Sequence, residues 1–216
     1  MANIAVIGLG GFGSTLAMEL ARLGDHVLGI DITERQVTPC LGRLAEAIIA
    51  DGRDIEALKE AGLASYEIAV IAIGEDLEAN ILCLMNLREI GVETIWVKAL
   101  DGPHERILAA LGAEHIIEPE REVGVRIAQT LHNPLMRDHI ALANGQYLAD
   151  IAVPATLAGK TLTWLDLEER FGIRCLGITR GKEFVTGHGT EAPLEYNDHL
   201  LLQGERKQLR KFSEEL

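Results

Sequence analysis

Apolar residues along this chain follow two alternating rhythms. Short runs of consecutive apolar positions alternate with stretches in which they recur every three or four residues. Asn3 to Ile7 is such a run, followed by Leu16, Leu20 and Leu23 at helical spacing and a stop at Gly24. His26 to Ile30 is the second run, and Thr33-Glu34-Arg35 opens a helix that Pro39 cuts short. Ala47 to Ala50 predicts a third strand, Asp54 to Ala61 a short helix ended by Gly62, and Ile68 to Ile73 a central strand. Glu75 to Ile90 predicts an amphipathic helix closed by Gly91. Thr94 to Val97, Pro103 to Leu111, His115 to Ile117 and Glu122 to Leu131 then predict strand, helix, strand, helix. This alternation is that of a doubly wound parallel sheet.

The rhythm changes near His132-Asn133-Pro134. Beyond it come strands at Tyr147 to Val153 and His199 to Leu202, a hairpin across Gly181, a short helix within Thr161 to Phe171 and a charged helical tail from Glu205. The expected fold is α/β: a Rossmann-like doubly wound parallel sheet over residues 1–135 with a small C-terminal α+β domain over 136–216.

The first strand runs into Gly8-Leu9-Gly10-Gly11-Phe12-Gly13, and the second delivers Asp31. Strand, Gly-x-Gly-x-x-Gly turn, helix, strand and acid in this order predict a nucleotide site. Gly8 permits the tight turn, Gly10 lets backbone approach a phosphate, and Gly13 lets the helix pack on the strand. The helix start offers free N–H groups to an anion, and Asp31 can accept from ribose hydroxyls. Ligands of such sheets bind beyond the carboxyl ends of the strands. The expected contacts are therefore Gly8, Gly10, Gly11, Phe12, Gly13, Ser14, Asp31, Ile32, Asp51, Gly52, Ile73, Gly74, Lys98 and Glu120. Asp51-Gly52 is expected near the base, and Asp51 can equally be only a turn or cap residue. Lys98 can serve a phosphate or pair with Glu120, and Glu120 can equally cap the helix that follows.

Composition narrows the function. A net charge of −13 over 216 residues argues against a nucleic-acid surface. No apolar run approaches the roughly 20 residues that span a bilayer, and no secretory signal is visible, so a cytoplasmic location and no direct membrane insertion are expected. Cys40, Cys83 and Cys175 form no Cys-x-x-Cys pair and suit a reducing compartment. The histidines are scattered, and no acid–base pattern of a hydrolase or dehydrogenase appears. Binding without chemistry is the favoured reading. An NAD-dependent oxidoreductase is the alternative, with NADP disfavoured by the carboxylate of Asp31.

Ile7 to Gly13, Val27 to Asp31, Val70 to Gly74, Ile95 to Ala99 and Ile116 to Glu120, in this order, resemble the RCK (KTN) subunits of Ktr and Trk potassium-uptake systems. Leu157 to Leu162 and Leu200 to Gly204 are similar to the opening and last strand of that family's smaller TrkA-C domain. The resemblance implies a non-enzymatic regulatory subunit, peripheral at the inner face of the membrane through a potassium-translocating partner. It implies homodimers assembling into an octameric ring, with ATP and ADP competing for the site. NAD(H), a cyclic dinucleotide in the C-terminal domain, and Mg²⁺ or Ca²⁺ at Glu120 are further ligands it implies. Close relatives in that family usually carry Arg where this chain has Gly11.

Overall fold

The computed structural model describes residues 1–132, 136–186 and 191–216. Its backbone divides into two compact units, Met1–Pro119 and Glu120–Leu216. The division expected at 135/136 abuts residues 133–135, which lie outside the described residues.

The first unit holds six parallel strands in the order β3-β2-β1-β4-β5-β6. These are β1 (Asn3–Ile7), β2 (His26–Asp31), β3 (Glu46–Ile49), β4 (Ile68–Ile71), β5 (Thr94–Lys98) and β6 (His115–Ile117). The order reverses between β1 and β4, and that switch point opens the crevice where ligands of such sheets bind. The helices between them are α1 (Gly11–Leu23), α2 (Glu34–Val37), α3 (Ile55–Glu60), α4 (Leu77–Ile90) and α5 (Gly102–Ala110). As expected, Pro39 stops α2, which passes into a 3₁₀ turn at Thr38–Cys40. β4 is shorter than its apolar run: Ala72 and Ile73 leave the ladder, although Ala72 N–H still donates to Ile7 O at 2.7 Å.

Strand alternation builds two cores. Ala5, Ile7, Leu28, Ile30, Ile71 and Val97 face Leu58, Leu84, Leu87 and Leu108 of α3, α4 and α5. Ile4, Val6, Val27 and Val70 face Ala17 of α1 together with Val37, Cys40 and Leu44. Covering both sheet faces is what makes the central strands apolar throughout. Each fully buried Leu contributes roughly 1.5–3 kcal/mol. All three cysteines are free and buried, and burial pushes the Cys83 thiol up to about 12.

Helix α6 (Pro119–His132) starts at the last residue of the first unit and otherwise belongs to the second; its apolar Val123, Val125, Ile127 and Leu131 are exposed. The second unit continues into an antiparallel sheet ordered β10-β9-β11-β8-β7. The strands are β7 (Met136–Ala141), β8 (Gln146–Ala152), β9 (Arg174–Arg180), β10 (Glu183–Thr186) and β11 (His199–Glu205). β7 has no counterpart among the predicted strands. The other helices are α7 (Leu162–Leu165), α8 (Leu167–Phe171) and α9 (Arg206–Glu214). Ile151, Leu200, Leu202, Leu209 and Phe212 form the core, where Phe171 meets Phe212 edge-on at 5.2 Å. Asp198, with only 2% of its side chain exposed, receives Arg180 through Nε at 2.8 Å and Nη2 at 2.6 Å.

Candidate functional site

The glycine turn is fixed by sterics. Gly8 has φ +94, and its N–H donates to Ile30 O at 2.8 Å. A Cβ on Gly13 would stand 1.8 Å from Gly8 O and 2.9 Å from Ala72 Cβ. The first turn of α1 therefore rides directly on the end of β1, and only glycine permits it. Gly10 is the N-cap, extended and without a side-chain cap, and the first turn carries no acid. The opening N–H groups are thus left for an anion. Gly11 faces open space. Ser14 Oγ turns back to donate to Gly10 O at 2.7 Å.

Asp31 closes the turn from β2. Its Oδ2 accepts Leu9 N–H at 2.8 Å, and its Oδ1 accepts Thr33 N–H at 2.9 Å and Thr33 Oγ1 at 2.8 Å. Beyond β3, Asp51 accepts Arg53 N–H at 2.9 Å and binds its guanidinium. The Arg53 guanidinium holds the Asp51 carboxyl below the usual carboxylate range. Lys98 ends β5 with 8% exposure. Its Nζ lies 3.0 Å from where a Gly74 Cβ would be and 5.9 Å from the Phe12 ring centroid. A side chain at 74 would therefore displace the ammonium. Asn80 on α4 sits at the same strand ends. Its Nδ2 donates to Ile73 O at 2.6 Å and Lys98 O at 3.0 Å, tying β4 to β5.

One cleft of about 270 Å³ gathers these strand ends. Of the sequence-predicted residues, Gly8, Gly10, Asp31, Ile32, Asp51, Gly52, Ile73 and Gly74 line it. Gly11, Phe12, Gly13 and Ser14 form the start of α1, and Lys98 stands behind Gly74. Glu120 belongs to the second unit, in the first turn of α6. Arg53, Glu75, Asp76 and Ala79 also line the cleft and were not foreseen. The available signal was that α4 begins just past a strand end. Asp76 is its N-cap, accepting Ala79 N–H at 2.9 Å.

The cleft is open, apolar on its floor and lined by carboxylates and one guanidinium. No His, Tyr, Cys or Lys side chain lines it. Uncapped N–H groups, the Asp31 carboxylate and small apolar lining residues fit a nucleotide. Among the described residues, no group of three His, Cys, Asp or Glu side chains could hold a metal ion.

Comparison with known proteins agrees with this fold. The model of the TrkA-N domain matches residues 4–119, and that of the TrkA-C domain matches residues 148–216. The chain is 35% identical over 210 residues to the Ktr system potassium uptake protein C of Bacillus subtilis, covering 97% of this chain and 95% of that protein. It is 37% identical over 207 residues to the Ktr system potassium uptake protein A of Vibrio alginolyticus, covering 96% and 94%. Among solved structures, the GsuK channel superposes with TM-score 0.68 at 18% identity, over 97% of this chain and 38% of that one. A structure of the GsuK channel bound to NAD gives TM-score 0.62 at 17% identity, over 96% and 38%.

Proposed function

The chain belongs to the TrkA-N/TrkA-C family of potassium-uptake proteins, and we propose from that premise that it is a cytosolic, nucleotide-sensing regulatory subunit of a potassium transporter. Its ligands are ATP and ADP, which exchange in the cleft between β1 and β4. The carrying observation is the uncapped start of α1 facing a cleft that Asp31 also lines. Phosphates take the N–H groups of Gly10 to Gly13, and the ribose takes the remaining acceptor capacity of Asp31. NAD(H) presents the same ribose and pyrophosphate and competes. A 2′-phosphate would meet the Asp31 carboxylate, so NADP is rejected.

The chain regulates and does not catalyse: both relatives are named as potassium-uptake proteins, and the oxidoreductase alternative is set aside. No helix among the described residues is long and apolar enough to cross a membrane, so translocation falls to a membrane partner. The exposed apolar face of α6 supports pairing with a second copy, and dimers assembling into an octameric ring are the proposed form. Mg²⁺ or Ca²⁺ would need Glu120 from two copies together with phosphate oxygens. A cyclic dinucleotide would occupy the C-terminal domain.

The test is a thermal-shift panel of ATP, ADP, NAD, NADH, NADPH and cyclic dinucleotides. A ligand at 100 times its Kd stabilises the fold by about 2.7 kcal/mol. Stabilisation by ATP or ADP but not NADPH is expected. Indifference to every adenine nucleotide would remove the sensing role.

A further inference from the structure

The turn after β3 holds one side chain in place at the cleft. Asp51 accepts the backbone N–H of Arg53 and also takes its guanidinium, through Nε at 3.0 Å and Nη2 at 2.8 Å on Oδ2. Asn86 on α4 donates to Gly52 O at 3.1 Å and Arg53 O at 2.9 Å. Below, Gly52 is so close to the core that an added Cβ would stand 3.2 Å from both Ile7 Cγ2 and Cys83 Sγ. The turn is therefore pinned from its side and from beneath.

Stability does not account for this arrangement. The Arg53 and Asp51 side chains are 41% and 32% exposed, and ion pairs that exposed contribute little. What the arrangement fixes is position. Arg53 lines the cleft from β3, which lies two strands from β1 and its phosphate-binding turn. The guanidinium is already ion-paired with Asp51 at 2.8 Å, so its charge is met locally. The Asp51 oxygens are already engaged by Arg53, so a base in the cleft finds this carboxylate committed. Two properties of Arg53 remain to be offered: its flat guanidinium face and its pinned place.

We propose that Arg53 is the nucleobase-contacting and specificity-determining residue of the cleft, laying its guanidinium face on a purine ring while Ile32 and Ala50 supply the apolar wall. This rests on the reading of the cleft as a nucleotide site. Guanidinium faces stack on aromatic rings, whereas an ammonium is a point charge without such a face. The base is then read by its face, so a purine binds better than the smaller pyrimidine.

Calorimetric titration of the full chain with ADP and with UDP, for the parent, Arg53→Ala and Arg53→Lys, tests this. Arg53→Ala should weaken ADP about tenfold, or ~1.4 kcal/mol, and UDP by less, with unliganded melting unchanged. Arg53→Lys should not restore ADP affinity. Three results would overturn the proposal: equal ADP affinity in Arg53→Ala, parental affinity in Arg53→Lys, or equal losses for ADP and UDP. A parent that binds neither nucleotide would overturn the reading of the cleft itself, and this proposal with it. A parent that binds ADP and an Arg53→Ala variant that binds it equally well would remove Arg53 alone.

Discussion

Asp31 braces Leu9: the carboxylate at the end of β2 accepts the Leu9 N–H at 2.8 Å, inside the glycine turn that follows β1. The acid we propose for the ribose is therefore also a structural clamp on the glycine turn. One side chain couples the two halves of the site.

Asp31→Ala is expected to weaken adenine-nucleotide binding at least tenfold and to lower stability as well. Three donors lose an ionised acceptor, and bonds of this kind contribute roughly 1.5–3 kcal/mol each when well formed. Partial exposure puts the stability loss near the low end. Denaturant titration and calorimetry measure the two effects separately. Unchanged affinity for every adenine nucleotide would show that Asp31 is only a brace.

Gly13→Val should fail to fold, or melt far below the parent, because even a Cβ would collide with Gly8 O. Gly11→Ala is the contrast. It lies at the first position of α1 in open space, so melting should stay within a degree or two of the parent or rise, as Gly to Ala in helices is favourable by up to ~1 kcal/mol. A Gly13→Val protein that melts like the parent would mean the turn is not built as described.

Much of this was legible because local chemistry dictates it. Only glycine tolerates Gly8 and Gly13, and an acid after a second strand is a local pattern, so the cleft's glycine side follows from a few neighbouring residues. The opposite side does not. Arg53, Asp76 and Ala79 reach the cleft because α4 starts beside β3's turn, which is a tertiary fact. β7 was missed for another reason: Arg137-Asp138-His139 interrupts any apolar run, and the strand is set by pairing with β8 along Ile140↔Leu148 and its neighbours. Tyr147 to Val153 and the His199 strand were found, displaced by a residue or extended at one end.

Asp198→Asn should destabilise the second unit in a pH-dependent way. The Arg180 side chain first, and then the Glu195 N–H, hold the Asp198 carboxyl below its ordinary value. A depressed folded-state pKa gives stability that is present above the unfolded value of about 3.9 and lost as pH falls through the folded one. The variant should therefore be less stable than the parent by roughly 1–3 kcal/mol at pH 7, with the gap closing below pH ~4. Melts between pH 3 and 7 decide it. A gap of constant size would assign the effect to packing instead of charge.

Glu120→Gln should abolish any tightening of nucleotide binding by Mg²⁺ or Ca²⁺. Two carboxylates brought together across a dimer repel unless a cation lies between them. A helix-start role for Glu120 predicts instead a small stability loss that is independent of the metal. Nucleotide titrations with and without the divalent ion, on parent and variant, separate the two. The same cation dependence in both proteins would rule out the metal role.

Cys83 lies beneath Gly52, behind the lining of the cleft, fully buried and with its thiol pushed up to about 12. Only a thiolate reacts readily with an alkylating reagent, so this sulfur stays silent while that lining is closed. Its labelling rate is therefore a clock for local opening. Peptide mapping would separate it from Cys40 and Cys175. A nucleotide that tightens the turn over Gly52 would slow the clock, and one that loosens it would quicken it, so a native sulfur can report the state of the cleft without any added probe site.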